Sequence, residues 1–427
     1  SQPALLIGIM SCVGLIALKR PFHKIMTGTL KPILGYLMLA AGAGVIVSNL
    51  DPLGKMIEHG FHITGVVPNN EAIVAVAQKV LGVETMSILV VGLLMNLLIA
   101  RFTKFKYVFL TGHHSLFMAC LMSAVLGTAG LSGIELILVG GFLMGAWSAI
   151  SPAIGQSYTS KVTDGDEIAL GHFGSLGYYL SAWVAKYVGK AEESTEDIEI
   201  PEKWGFLRDS TLSTALTMIV FYLIAAIAAG SEFVATLSGS MSPYLFAVMS
   251  AMNFAVGVAI VYSGVRMILG DLIPAFQGIA TKIIPNAIPA VDCAVFFTYA
   301  PTAVVLGFIS SFIGGIIGML ILGAVGGVLI IPGLVPHFFC GATAGIYGNA
   351  TGGRRGAAVG AFLNGLAITF LPALALPVLG QLGFQNTTFG DADFAVMGLV
   401  LGNAFEWIGM AGIYGVVVIA ALVLIIP

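Results

Sequence analysis

Long apolar stretches alternate with short polar or proline-containing breaks along nearly the whole chain. A helix needs about 20 consecutive apolar residues to cross the hydrocarbon core of a bilayer, and most of these stretches approach that length. The pattern therefore predicts an all-α polytopic membrane protein with about eleven transmembrane helices. The apolar stretches fall at residues 4–18, 27–50, 71–100, 104–128, 131–153, 167–189, 211–230, 240–262, 293–311, 312–333, 356–383 and 395–426.

Prolines interrupt several of these stretches, notably at Pro68, Pro289 and Pro336. They predict broken helices or re-entrant segments, because proline removes a backbone donor and disrupts a helix. Such backbone is tolerated at membrane depth only where protein covers it or where it lines a water-filled cavity. We expect residues 110–120 and 335–343 to form broken-helix tips that face one shared cavity.

One short pattern occurs twice. Pro68-Asn69-Asn70-Glu71 and Pro289-Ala290-Val291-Asp292 each place a carboxylate three residues after a proline, and His113 and His337 follow them at similar distances. Two weakly similar halves of this kind are typical of transporters, whose binding sites lie between the halves. The predicted organisation is a first inverted repeat over residues 1–190, an amphipathic polar linker over 191–210, and a second repeat with a C-terminal transmembrane helix over 211–427.

Composition supports the membrane assignment. The chain has 427 residues, of which 58% are hydrophobic and only 9% are charged, whereas soluble domains carry about 25% charged residues. The net charge of −3 argues against a nucleic-acid partner. Basic residues after the first apolar stretch, Lys19, Arg20 and Lys24, predict that this end of the stretch is cytosolic and that Ser1 is outside. We interpret residues 4–18 as a retained span, not a signal peptide.

Two carboxylates within the apolar body are candidate site residues. Asp292 and Glu71, the latter beside Asn70, each lie where a broken helix is predicted to begin. Ionisable side chains at membrane depth cost several kcal/mol to bury and therefore need a partner, a cavity or a function. The alternative for both carboxylates is a structural one, in which each caps the start of its own helix.

Histidines form the second group of candidates. A glycine precedes the first of the pair His113 and His114, and another precedes His172, so that a ligand or a second backbone segment can approach closely. A neutral imidazole donates one hydrogen bond and accepts another, which suits a polyhydroxylated substrate. His114 and His337 could equally be hydrogen-bonded core residues.

Tyr299 and Thr302 follow Asp292 by about two helical turns and could line the same cavity. No short-range histidine or cysteine spacing predicts a metal site, and the four cysteines are expected to be buried small hydrophobic residues without disulfides. No cofactor is expected. The chain has no phosphate-binding loop and no activated nucleophile, so neither an ATP-driven pump nor an independent membrane enzyme is favoured.

Five motifs together resemble a known family, the ascorbate-specific membrane component (IIC) of the bacterial phosphotransferase system. The motifs occur in the family's order and lie at residues 67–71, 110–114, 169–174, 289–293 and 331–337. The resemblance implies two inverted repeats, a substrate-carrying core domain and a V-motif domain that forms a homodimer in the bacterial inner membrane. It also implies elevator-type transport, with the substrate phosphorylated by a separate IIB protein that receives its phosphoryl group from IIA.

The resemblance also assigns residues. The family's pocket histidines fall on His113 and His172, and its pocket aspartate falls on Asp292, which could help to deprotonate the hydroxyl that receives phosphate. Where some members have glutamines, this chain has Phe117 and Phe173, which are expected to pack against the substrate ring. The competing hypothesis is an ion-coupled secondary transporter of a small sugar acid, with Asp292 or Glu71 as the proton site.

Overall fold

The protein is described here by a computed structural model that covers residues 3–62, 65–68, 70–198, 210–380 and 387–426. Helices dominate these residues. The helices are α1 (Pro3–Ala17), α2 (Phe22–Phe61), α3 (Asn70–Phe102), α4 (Gly112–Thr128), α5 (Gly133–Thr163), α6 (Ser175–Val188), α7 (Ser210–Ala229), α8 (Ser231–Ser238), α9 (Pro243–Lys282), α10 (Pro301–Ala324), α11 (Leu334–Gly380), α12 (Ala392–Ile408) and α13 (Met410–Ile425), with a 3₁₀ helix at Cys293–Thr298. The strands are β1 (Val67–Pro68), β2 (Tyr107–Phe109), β3 (Ala169–Leu170), β4 (Ile288–Val291) and β5 (Thr387–Thr388).

Within the described ranges, six helices are long and apolar enough to cross a membrane, or seven if the bent pair α7 and α8 forms one span. The protein is therefore a mostly helical, polytopic membrane protein, as the sequence predicts. Several other apolar stretches form helices that are too short to be counted as spans by length. The expected count of about eleven spans therefore stays a prediction. The stretch at 4–18 forms a helix of only 15 residues, and 104–128 divides into β2 and a helix of 17 residues.

Helix α11 is interrupted near its middle. Gly352 and Gly353 leave helical geometry, and Gly353 has a φ of 60°, a region that favours glycine. The backbone oxygens of Lys190 and Glu193 approach Gly353 so closely that a Cβ there would overlap them. The break thus allows the segment that follows α6 to pack against α11.

The described part of the predicted linker, residues 191–198, is docked on the helices. The amide of Asn349 bonds with Ser194 and Thr195, and the Glu196 carboxylate accepts hydrogen bonds from the first residues of α10, including the backbone N–H of Thr302 at 3.0 Å. Residues 199–209 of the linker lie outside the described residues. This segment therefore connects the region after α6 to both α10 and α11.

Two small parallel sheets decide where the site lies. In one, β4 lies between β2 and β3, and the register pairs Phe109 and Ala169 with Ala290. In the other, β1 pairs with β5. The sequence did not predict these strands, because strands of two to four residues leave no detectable periodic pattern.

Parallel pairing brings the carboxyl ends of neighbouring strands to the same edge of a sheet. The chain after β2 leads to His113, the chain after β3 to His172, and Asp292 directly follows β4. Asn70 follows β1, and Asp391 follows β5. Short strands followed by helix starts therefore gather polar side chains from segments that are far apart in the sequence.

Candidate functional site

A cavity of about 770 Å³ lies where these strand ends meet. One of its walls is an apolar face of α2 that includes Tyr36, Leu39 and Val47. The cavity extends to Asp51 and Lys55, which form an exposed ion pair at 2.8 Å. The polar residues at its inner end are Asn70, His113, His114, His172, Asp292 and Asp391.

The two carboxylate oxygens of Asp292 differ in their hydrogen bonding. Its Oδ1 accepts a hydrogen bond of 3.0 Å from the backbone N–H of Ala294 and so caps the 3₁₀ helix. Its Oδ2 is buried and accepts no hydrogen bond from the described residues, although Nε2 of His113 lies 3.3 Å away. The structural and functional interpretations of Asp292 are therefore compatible, because each concerns a different oxygen.

Hydrogen bonds orient the three histidines. Nδ1 of His113 lies 3.2 Å from the Tyr36 hydroxyl. Nδ1 of His172 accepts from the backbone N–H of Gly174 at 3.2 Å, and Nδ1 of His114 accepts from that of Phe173 at 3.3 Å. Since a neutral imidazole that accepts at Nδ1 carries its proton on Nε2, His114 and His172 each have an Nε2–H donor.

The imidazole rings lie close together. The ring centroids of His114 and His172 are 3.7 Å apart, and those of His113 and His114 are 4.8 Å apart. His114 and His172 are both buried, so their donors would be costly to leave without partners. The cluster can therefore bind the oxygen atoms of a ligand that enters the cavity.

Asp391 also lines the cavity, although the sequence patterns did not predict it. Its Oδ2 accepts a 2.6 Å hydrogen bond from Asn70, and its Oδ1 accepts from the Cys340 thiol at 3.0 Å. The Asn70 amide oxygen in turn accepts from the backbone N–H of Gly390 at 2.9 Å. A signal was present, because Gly390-Asp391 precedes an apolar stretch, much as the chain does at Asp292.

Two groups of side chains have the proximity that a metal ion needs. The ligand atoms of His114, His172 and Asp391 lie within 4.8 Å of one another, as do those of His172, Asp292 and Cys293. The sequence shows no metal-ligand spacing because these residues come from separate strand ends. Since Nδ1 of both buried histidines already accepts a backbone hydrogen bond, this arrangement better suits hydrogen bonding to an organic ligand.

The predicted aromatic residues differ in position. Phe117 lines the cavity, whereas Phe173 is fully buried and stacks on Phe109 with ring centroids 4.6 Å apart. Among the described residues, Phe173 is not part of the cavity lining. Its packing against a substrate ring therefore does not follow from this structure, and its backbone instead supports His114.

The described cavity lining also leaves out three further candidates, His337, Thr302 and Tyr299. His337 is buried and pairs with the Ser311 hydroxyl at 2.9 Å, as a core histidine does. Thr302 contacts Glu196, and Tyr299 is partly exposed beyond the 3₁₀ helix. Glu71 lies in the first turn of α3, and its side chain is outside the described part of the chain.

Both predicted broken-helix tips contribute to the cavity lining. Residues 335–343 contribute Val335, Pro336, Phe339 and Cys340, and residues 110–120 contribute His113, His114 and Phe117.

Long apolar helices around a polar cavity at helix breaks define a multi-pass membrane permease. Residues 1–393 match the family model of the PTS system sugar-specific permease component, and the chain belongs to this family. The family resemblance and the placement in the bacterial inner membrane are thereby confirmed. The chain is also similar to the ascorbate-specific PTS system EIIC component of Mycoplasma pneumoniae, with 26% identity over 410 residues, covering 82% of this chain and 61% of that protein. The chain thus spans about three-fifths of the length of this relative.

Proposed function

We propose that this permease imports L-ascorbate, or a closely related small sugar acid, and delivers it for phosphorylation at the cytosolic face. The observation that carries the proposal is the buried Oδ2 of Asp292 on the cavity, which accepts no hydrogen bond from the described residues and lies 3.3 Å from Nε2 of His113. An unpaired carboxylate oxygen in a low-dielectric site is costly unless a ligand hydroxyl donates to it. The choice of ascorbate is supported by the name of the relative from Mycoplasma pneumoniae.

The other cavity groups suit an anionic enediol. The Nε2–H groups of His114 and His172 can donate to its oxygens, and Asp292 can accept from a hydroxyl. Helices α4 and α12 begin at Gly112 and Ala392, next to the cavity residues His113 and Asp391. The positive ends of helix dipoles at these positions favour a negatively charged ligand.

Phosphorylation requires a partner, which we propose to be a IIB protein that carries a phosphocysteine and is supplied by IIA. The ligand hydroxyl oxygen would attack phosphorus as the bond between sulfur and phosphorus breaks and the cysteine leaves as a thiolate. The hydroxyl proton would pass to Oδ2 of Asp292. Three cysteines of this chain are buried in the described structure and the fourth, Cys12, is partly buried, so none is suited to this role.

We further propose that each chain contains two inverted repeats and that two chains form a homodimer. Transport would then occur by an elevator-type movement of a core domain against a V-motif domain. Contacts between the two parts of the chain support the repeats. Helices α2 and α9 both have 40 residues and pack closely at Gly35 with Gly264 and at Gly42 with Gly257. Both small sheets also join strands before the linker to strands after it. The core domain would then carry the cavity.

Uptake into proteoliposomes tests the proposal. Purified protein with IIA, IIB, phosphoenolpyruvate and the general phosphotransfer proteins that pass its phosphoryl group to IIA should accumulate phosphorylated ascorbate from labelled ascorbate. A protonophore should leave this uptake unchanged. Omitting IIB provides the control and should abolish accumulation of the phosphorylated product. Uptake that collapses with the proton gradient and needs no phosphoenolpyruvate would instead identify an ion-coupled secondary transporter.

A further inference from the structure

A further buried carboxylate, besides those of Asp292 and Asp391, lies outside the described cavity lining. Asp393, in the first turn of α12, has no exposed surface, and its side chain faces α5 and α6. A buried carboxylate is costly unless hydrogen bonds satisfy it. The use of a carboxyl group at this point, where an apolar residue would pack at lower cost, calls for a role beyond filling space.

Three donors converge on Asp393. The Ser175 hydroxyl donates to its Oδ2 at 2.7 Å, and the Trp147 indole N–H donates to the same oxygen at 3.2 Å. The backbone N–H of Leu176 donates to Oδ1 at 2.9 Å. Asp393 therefore accepts a hydrogen bond from a free backbone N–H in the first turn of α6. This helix begins at Ser175 without a side-chain cap of its own.

The backbone of Asp393 also contacts the segment that carries His172, residues 171–175, which we call the His172 loop. The backbone N–H of Asp393 donates to the carbonyl of Phe173 at 2.9 Å. At the beginning of the loop, Gly171 donates to the carbonyl of Val291 at 2.7 Å. The loop that carries His172 is thus held at β4 and at Asp393, and the Tyr178 hydroxyl lies 2.9 Å from Nδ1 of the ring.

We propose that Asp393 is a positioning residue that acts through His172, by fixing the loop whose Gly174 N–H, together with the Tyr178 hydroxyl, orients the imidazole. This inference rests on the proposed role of His172 in ligand binding. Asp393 itself touches no ligand. Its loss lowers affinity because the Nε2–H donor of His172 is no longer held at one position and in one tautomer.

A double-mutant cycle measures this dependence. Asp393→Asn presents an amide N–H₂ to donors that need an acceptor. It should weaken ascorbate binding about tenfold or more, which is the effect of removing residues that orient the ligands of metal sites. In a His172→Ala background the same substitution should cause little additional loss, because the group through which it acts is gone. Equal losses in both backgrounds would overturn the proposal. Asp271→Asn, at a partly exposed ion pair with Lys31, is the matched control and should not change affinity.

A milder substitution covers the case in which Asp393→Asn does not fold. Ser175→Ala removes one donor on the loop side, and Trp147→Phe removes one donor on α5, which is not part of the loop. Ser175→Ala should lower affinity through His172 in the same cycle, whereas Trp147→Phe should affect affinity less. An effect of Ser175→Ala that persists undiminished without His172 would contradict a positioning role.

A measurement without ligand separates this inference from the proposed function. In protein labelled with ¹⁵N-histidine, the imidazole signals of His172 should shift or broaden in the Asp393→Asn variant. The signals of His337, which bonds Ser311 elsewhere in the core, should remain unchanged. Unchanged His172 signals would overturn the positioning role. Failure of wild-type protein to bind ascorbate would instead overturn the substrate proposal alone.

Discussion

The imidazole Nε2 of His113 lies 3.3 Å from Oδ2 of Asp292, although the two residues belong to opposite parts of the chain. Their contact follows from the parallel pairing of β2 with β4, in which Phe109 is opposite Ala290. Each residue lies just beyond the carboxyl end of its strand. The relationship places a base and a carboxylate side by side on the cavity, and it motivates the first prediction.

Asp292→Asn should weaken ascorbate binding roughly 10- to 150-fold, because a hydrogen bond to a charged group contributes about 1.5–3 kcal/mol. Isothermal titration calorimetry on detergent-purified protein measures the change. Asp271→Asn, the same chemical change at a partly exposed ion pair, should bind like wild type. If the Asp292 variant folded normally and retained wild-type affinity, Asp292 would not be a ligand-binding residue.

Tyr36→Phe should weaken binding by about 2- to 12-fold, because a single hydrogen bond contributes about 0.5–1.5 kcal/mol. The hydroxyl lies 3.2 Å from Nδ1 of His113 and orients that ring. Affinity is measured by thermal shift across an ascorbate titration, with Tyr244→Phe at an exposed position as the control. The same loss in a His113→Ala background would show that Tyr36 does not act through His113.

His337→Ala and His113→Ala should have opposite effects on melting temperature and ascorbate affinity. His337 is buried with Ser311 away from the described cavity lining, so its removal should lower the melting temperature and leave ascorbate affinity unchanged. His113 is partly exposed on the cavity, so its removal should lower affinity with a smaller effect on melting. Differential scanning fluorimetry with and without ascorbate measures both properties. A His337 variant of normal stability but weak binding would move this residue into the site.

Gly353→Ala should destabilise the protein by about 1 kcal/mol or more, because alanine is strained at positive φ. A Cβ would also overlap the backbone oxygens of the segment after α6. The melting temperature of the purified protein reports the effect. Gly44→Ala is the matched control, since its site in α2 has open space for a Cβ and should be neutral or slightly stabilising. Equal melting temperatures for the two variants would contradict the tight packing at the α11 break.

Much of the site could be foreseen from residue types alone. Asp292, His113, His172 and Asn70 stand out because polar groups at membrane depth are rare, and all four line the cavity. His337 satisfied the same criterion, yet its partner Ser311 lies 26 positions earlier in α10, a distance at which sequence shows no pairing. Residue type could therefore nominate candidates but could not separate a cavity-lining histidine from one bonded within the core.

The sequence by itself determined that the chain is a membrane protein, because hydropathy and charge are properties of contiguous residues. It also determined the family, since the five motifs occur in order along the chain. Only the tertiary structure decided which polar groups meet. Strands of two to four residues pair in parallel across the linker, and they bring Asp391 to Asn70 and Asp393 to the His172 loop. Such long-range hydrogen bonds leave no local pattern, because their partners are fixed by the packing of the helices around them.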